Sequence, residues 1–527
     1  MNLRIFIIPL LTSVVATSCN GFRILAIFPF TAKSHFVMFE ELSKSLARAG
    51  HRVDVVSLFP LKENFPNYTD IVKLKWDFPT LVNNISIDFV EKEFRGNIIS
   101  FIATVTGNQI CKNLDHPDIL KIVQNPPNDP PYDAFITEIF GAHCYMIIGH
   151  QLKIPIIGVS SSELYPWGHE MIANPRNLAF VPFELLPMTP PLSYWERMKN
   201  FLLYWWSYHE FNYYTRVQDD MIRKNFGEDA PGVRELERSV SMILANSHSS
   251  VNGAKPVTAG LIEVGGLHVR DDGPELPENL QKWLDESAHG FIYFTFGSMV
   301  RIETLPKETL AILYRSFGKI APVRVLMKIA KPQELPDGLP GNVITQAWIQ
   351  QLKVLKHKNI RAFITHGGLM GTQEAIHCGV PMIGVPLFAD QFVNIHNYVE
   401  KKIALFLDYK AITEEKLDAA IDAILNDPVY LKSVRAISEK FRDRPLTPAE
   451  TAVYWVEYII KHGSQALRSP ALDLTWWQEA LLDVYVALVL ALLVTVYAII
   501  MIVGALVRLI FGKKRGSKRA SRSKKNK

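Results

Sequence analysis

Residues 484–507 form a run of 24 uncharged, mostly apolar side chains, bounded by Asp483 and Arg508. At about 1.5 Å rise per residue, a helix of that length exceeds a hydrocarbon core of roughly 30 Å, so the run predicts one membrane span. A soluble helix this long normally carries a polar stripe, and this one has none. Nine basic residues and no acid follow between 513 and 527, and this bias places the tail in the cytosol and the body across the bilayer. Removing those nine from the formal net charge of +5 leaves −4. The basicity therefore belongs to the tail, and the body shows no footprint for nucleic acid.

The opposite end fits the same topology. Residues 1–20 hold one Arg, an apolar stretch over 5–11 and the small residues Ala16, Thr17 and Ser18, which reads as a secretory signal peptide. Asn67-Tyr68-Thr69 and Asn84-Ile85-Ser86 are glycosylation acceptors, Asn67 and Asn84, that suit a lumenal body. Lys524 and Lys525 stand fourth and third from the C-terminus, which resembles the dilysine retrieval signal of endoplasmic-reticulum membrane proteins. These features predict a single-pass type I protein of that membrane, with a lumenal body and a cytosolic tail. Cys19 leaves with the signal peptide; Cys111, Cys144 and Cys378 are too few and too scattered for a disulfide scaffold or a zinc site.

A body of this length exceeds one compact core, and its pattern alternates short β-rich runs with helical stretches, which favours parallel α/β architecture. Strand candidates at 23–28, 53–58, 134–137 and 154–159, with a helix over 38–49, outline a first Rossmann-like unit. A stretch punctuated by Gly and Pro at 246–280 reads as a linker. A second unit follows with strand candidates at 291–296, 323–329, 362–365 and 382–385. The expected organisation is an N-terminal domain over 21–245, the linker 246–280 and a C-terminal domain over 281–445. Helices that pack back and a membrane-proximal segment occupy 446–482, the span 483–508 and the tail 509–527. Ten aromatic residues lie between Tyr194 and Tyr214. They predict helix packing or contact with a membrane interface, with an apolar acceptor pocket nearby as the sharper alternative.

Residues 348–391 carry the chemistry. A strand ends in the turn His366-Gly367-Gly368, and a helix is expected to begin near Gly371 or Thr372. Glycines admit a ligand close to the backbone, and exposed amides at a helix start favour a diphosphate at the carboxyl end of the sheet. With Trp348, Gln351, His366, Glu374, Asp390 and Gln391 at their spacings, the segment resembles the signature of the UDP-glycosyltransferases, and its look is that of animal, especially insect, members. The resemblance covers residues 22–511.

That resemblance implies a GT-B type α/β fold: two Rossmann-like domains with the donor in the interdomain cleft, plus the C-terminal transmembrane helix. It implies that Trp348 stacks on uracil and Gln351 meets the base or ribose. Thr365, His366, Gly368, Thr372 and Ser298 lie around the diphosphate, Glu374 accepts from ribose hydroxyls, and Asp390 and Gln391 hold the sugar. Two departures stand out: the usual Trp-x-Pro-Gln reads Trp348-Ile349-Gln350-Gln351, and position 371 is Gly where many members have Ser.

His35, in the loop after the first strand, matches the family's catalytic base, and Glu138 stands where its carboxylate partner is expected, with Asp133 the alternative. The implied reaction is an inverting transfer of a hexose, glucose by the insect resemblance, from a UDP-sugar to a hydroxyl of small lipophilic acceptors such as phenols, hormones, pigments or plant compounds. Conjugation or detoxification is the expected role. No Asp-x-Asp motif appears and no metal or other cofactor is expected. Association with itself or with related enzymes is left open. The alternatives are a catalytically silent homologue that binds UDP-sugar or a hydrophobic ligand, and a nicotinamide oxidoreductase, which the lack of Gly-x-Gly-x-x-Gly after the first strand disfavours.

Overall fold

The computed structural model describes residues 21–75, 81–94 and 96–523. The signal-peptide segment and the dilysine-like Lys524 and Lys525 lie outside the described residues. Strands β1 (Arg23–Phe28), β2 (Arg52–Ser57), β3 (Tyr68–Lys73), β4 (Ala134–Glu138), β5 (Ile156–Ser160), β6 (Val240–Ala245) and β7 (Leu261–Glu263) form one parallel sheet in the order β3-β2-β1-β4-β5-β6-β7. β8 (Phe291–Thr295), β9 (Arg324–Lys328), β10 (Val343–Gln346), β11 (Ile360–Thr365), β12 (Met382–Gly384) and β13 (Ala404–Phe406) form a second, in the order β10-β9-β8-β11-β12-β13. The stretch 246–280 thus gives the first sheet its seventh strand before it crosses to the second.

Both sheets are covered on both faces, which is why their strands read as continuous apolar runs. Successive side chains leave on opposite sides. Leu25 and Ile27 join one core layer with Phe135, while Ile24, Ala26 and Phe28 join the other with Ile136. In β8, Ile292 and Phe294 face one layer, and Phe291 and Tyr293 the other.

The chain crosses between the two halves more than once. Residues 81–94 follow β3, yet Ile85, Ile87, Val90 and Phe94 are buried in the core of the second sheet with Phe294 and Phe296. Ile85 forms a parallel bridge with Val300, and the Asn83 amide donates to the Ser298 carbonyl at 2.8 Å. In return, the helix Pro448–His462 buries Ala452, Val456 and Ile459 against the first sheet's layer.

Cys111 and Cys144 form a disulfide across 33 residues of sequence. The cysteine spacing had pointed to no such link; the fold supplies it by bringing a helical excursion back beside the turn after β4. Closing a loop of that length restricts the unfolded chain by roughly 4 kcal/mol. The Cys111→Ser/Cys144→Ser variant is therefore expected to unfold at a clearly lower temperature, by differential scanning fluorimetry, with unchanged far-ultraviolet dichroism at 20 °C.

The aromatic segment is the helix Tyr194–Thr215, opened by a capping box between Ser193 and Glu196. Its inner side packs: Tyr204 and Phe211 are buried, and Phe211 stacks on Trp167 with centroids 3.9 Å apart. Tyr194, Trp195, Phe201, Trp206 and Tyr213 stay exposed. Beyond residue 469 a separate unit contains the helix Leu482–Ser523, whose apolar part, Leu482–Phe511, has a mean hydropathy of 3.1. This helix continues past the expected span 483–508 into the basic segment.

Candidate active site

Each sheet changes winding direction once. In the first, β1 lies between β2 and β4; in the second, β8 lies between β9 and β11. A crevice opens outside the carboxyl ends at such a point, because the loops on either side diverge. His35 follows β1 and Glu138 ends β4; Ser298 follows β8 and His366 follows β11. The two crevices face one another across a cleft of about 1620 Å³ that is open to solvent.

On the first wall, His35 Nδ1 lies 2.6 Å from Glu138 Oε1 and 2.8 Å from Ser161 Oγ. The Glu138 side chain is 4% exposed and that of His35 22%, so the carboxylate is sealed behind a ring that meets the cleft. Phe30 and Phe140 stand edge-on to the imidazole, with centroids at 4.8 and 5.0 Å. A carboxylate on Nδ1 selects the tautomer with Nδ1–H, which leaves Nε2 as a bare acceptor. Asp133, the alternative partner, instead accepts from the Arg23 amide at 2.8 Å and closes the strand edge.

The second wall is built around His366. Gly297, at φ +74°, and Gly368 both pack against its ring, where a Cβ on either would come within 2.6 Å of an imidazole atom. Gly367, at φ +85°, turns the chain so sharply that the helix Leu369–Cys378 starts earlier than the expected Gly371 or Thr372. Burial, with the Lys328 charge nearby, lowers the His366 pKa to about 4, so its ring is neutral at physiological pH. His366 Nδ1 and Ser298 Oγ are both buried without a hydrogen-bond partner among the described residues. Both residues line the same cleft as Gly368 and Leu369, which open the helix.

Farther along, Trp348 presents its indole, 49% exposed, at the cleft. Gln351 donates to Glu374 Oε2 at 2.7 Å and accepts from the Tyr293 hydroxyl at 3.3 Å. Burial raises the Glu374 pKa to about 7, opposed by the Gln351 amide. His268, carried in from the 246–280 stretch, donates through Nε2 to the Met370 carbonyl at 3.0 Å and lies 3.9 Å from Glu374 Oε1. The two departures from the motif cost little here. Gln350 has φ −73°, which proline would share, and a Cβ at Gly371 would come within 2.9 Å of the Gln351 amide nitrogen.

Asp390 also lines the cleft and accepts from Asn394 at 2.8 Å; burial raises its pKa, and the Asn394 and His35 side chains oppose that rise. Gln391 uses its Oε1 to accept from the Leu387 and Phe388 amides at 2.9 and 3.1 Å, which fixes the loop. Thr365 lines the cleft as well, its hydroxyl accepting from the Gly367 amide at 3.3 Å. Thr372 does not reach it: its hydroxyl is buried against the Leu369 carbonyl and Tyr398 at 3.0 Å each.

Sequence reasoning passed over Ser161, Lys328 and His268. Ser161 follows β5 and Lys328 ends β9, both at carboxyl ends of strands, which was the available signal. The apolar wall comes from Phe30, Phe94, Phe101, Phe140 and Phe388, and none of the ten aromatics between 194 and 214 lines the cleft.

A family model described as "UDP-glucoronosyl and UDP-glucosyl transferase" matches residues 81–517. UDP-glucosyltransferase 2 of Dactylopius coccus is 34% identical over the full length of both chains. UDP-glucuronosyltransferase 3A1 of Bos taurus is 28% identical over 91% of this chain and 92% of its own. Among solved structures, the glycosyltransferase VinC in complex with dTDP superposes with a TM-score of 0.55 at 17% identity, covering 84% of this chain and all of that one. The glycotransferase of kitacinnamycin superposes equally well, at 0.55 over 83% of this chain. These likenesses at low identity establish the GT-B fold.

Proposed function

Because the chain belongs to the UDP-glycosyltransferase family, an enzyme family that transfers sugar from UDP-sugars, we propose that it moves a hexose, glucose in the first place, onto a hydroxyl of small lipophilic acceptors with inversion. The observation that carries this reading is the opposition, across one cleft, of the His35–Glu138 pair and the His366 turn with Trp348 and Glu374.

Mechanistically, the acceptor oxygen approaches His35 from the cleft, where Nε2 takes its proton as the oxygen attacks the anomeric carbon. Glu138 holds the tautomer and stabilises the imidazolium that forms, with Ser161 as a second partner at Nδ1. The bond from the anomeric carbon to the β-phosphate oxygen breaks on the opposite face, and UDP leaves with its charge on the helix-start amides, the neutral His366 and Ser298. Asp390 and Gln391 hold the sugar hydroxyls, and Trp348 stacks on the base. The phenylalanine wall supports an apolar acceptor. A silent homologue would have no use for a sealed carboxylate on His35, and so stands second.

No metal is needed in this scheme. A donor panel of UDP-glucose, UDP-glucuronate, UDP-galactose and UDP-N-acetylglucosamine, tested with phenols and lipophilic alcohols, is expected to give turnover with UDP-glucose and inverted product. The rate is expected to stay unchanged in excess chelator. Failure of every UDP-sugar to react would overturn the reading, and loss of activity with chelator would overturn its metal-free form. The apolar helix indicates membrane anchoring. The Cys111–Cys144 disulfide and the exposed Asn84 support a body in the oxidising lumen of the endoplasmic reticulum.

A further inference from the structure

Lys328 is the last residue of β9, beside the switch point of the second sheet. Its Nζ donates to the Gly297 carbonyl at 2.7 Å and to Asn83 Oδ1, and lies 5.3 Å from the centre of the Trp348 ring. The residue is 8% exposed and lines the cleft. Both of its hydrogen-bond acceptors are neutral carbonyl oxygens. An ammonium taken out of water and given only neutral acceptors is costly, and burial accordingly lowers its pKa to about 8, with Glu303 the opposing carboxylate. An anion entering the cleft would supply what this site lacks.

The position of that anion follows from the neighbours. The Gly297 carbonyl belongs to the turn that carries Ser298, whose hydroxyl is buried without a partner. His366, whose ring packs on Gly297, has its Nδ1 in the same condition. The indole of Trp348, where a base would stack, lies 5.3 Å from the ammonium. Resting on the proposed UDP site, we propose that Lys328 binds the diphosphate, its ammonium carrying the counter-charge that a metal ion carries in other nucleotide-sugar sites. The third N–H of the ammonium is the donor left for a phosphate oxygen. During transfer the β-phosphate gains charge as the glycosidic bond breaks, and a fixed cation in a site shielded from water favours that step.

The test is calorimetry on the full chain in detergent, with UDP and uridine as probes. Lys328→Gln is expected to weaken UDP by about 10- to 100-fold, as loss of a charge-assisted contact does, and to leave uridine within about threefold. Retained uridine binding shows that the variant is folded. Lys328→Arg is expected to keep most of the UDP affinity. Asn83→Ala, which removes a neutral partner and leaves the ammonium, is expected to bind UDP nearly as the wild type does. Equal weakening of UDP and uridine by Lys328→Gln, or a loss with Asn83→Ala as large, would overturn the inference by showing that the lysine only braces the loop. A wild-type chain that binds no UDP would overturn the proposed function itself, and this inference with it.

Discussion

Replacing His35 by Ala is expected to abolish glycosyl transfer while leaving UDP affinity intact. Among the cleft histidines described, His35 is the one whose ring is hydrogen-bonded directly to a buried carboxylate; His268 gives its Nε2–H to the Met370 carbonyl and lies 3.9 Å from Glu374. Glu138 sits 2.6 Å from Nδ1, so the proton on that nitrogen is committed and Nε2 is left to take one from the acceptor. Loss of a general base typically costs 10²- to 10⁴-fold, so kcat/KM is expected to fall by about 10³. The proposed UDP contacts lie on the opposite wall, and the calorimetric Kd should move by less than about twofold, within ordinary mutational background. Glu138→Gln should follow the same pattern more mildly. Unchanged turnover in His35→Ala would remove the base assigned here; loss of UDP binding in parallel would indicate a collapsed fold.

The second large effect concerns Glu374. Burial raises its pKa to about 7, and the groups around it are the neutral Gln351, His268, whose own pKa is lowered to about 4, and Tyr293. The Cys378 thiol, pushed up to about 12, is also neutral. A carboxylate can accept from two ribose hydroxyls, whereas the protonated acid cannot accept at both oxygens alike. UDP binding therefore favours the ionised form, and affinity is expected to fall as pH drops below about 7, approaching tenfold per unit. Above about 8, Lys328 loses its charge and affinity should fall again. Glu374→Gln is expected to remove the acid limb and weaken UDP by about 10- to 100-fold, as loss of charge-assisted contacts does. For folding alone the sign is opposite. The folded state holds this proton to higher pH than the unfolded chain does, so the linked stability is present below pH 4.5 and lost as pH rises through about 7. Titration of UDP affinity from pH 5.5 to 9 checks both limbs, and a flat profile would exclude Glu374 as the acceptor.

The parts of this protein that could be read from residues alone are those fixed by local rules. Strands buried on both faces betray themselves as apolar runs, so β1, β2, β4, β5, β8, β9, β11 and β12 were outlined to within a few residues. Because ligands meet such sheets at strand ends, His35, Ser298 and His366 could be placed as soon as those strands were. The short edge strands β7 and β13, three residues each, carry too little pattern to separate them from loops. β3, half exposed at the rim of its sheet, lacks the apolar run altogether.

What stayed hidden was set by contacts between distant residues. The burial of Ile85, Val90 and Phe94 in the second core depends on a crossing that no periodicity announces. The same holds for the Cys111–Cys144 link and for the five phenylalanines of the apolar wall, each of which comes from a different segment. The dense aromatic stretch at 194–214 was the more visible signal, yet its helix packs on Trp167, with Trp205, Tyr208 and Tyr214 partly buried against the same core and five rings left exposed. Ser161 and Lys328 were passed over because Ser and Lys at a strand end are common, and only the distances to His35 Nδ1 and to the Gly297 carbonyl set them apart.

Where the nucleotide lies decides the function proposed for this cleft, and a crystal structure of the full chain with UDP measures that directly. It should show uracil stacked on the Trp348 indole, ribose hydroxyls on Glu374, and the diphosphate between Ser298, His366 and the amides that open the helix Leu369–Cys378. Electron density for UDP elsewhere, or a cleft that stays empty at saturating UDP, would contradict it.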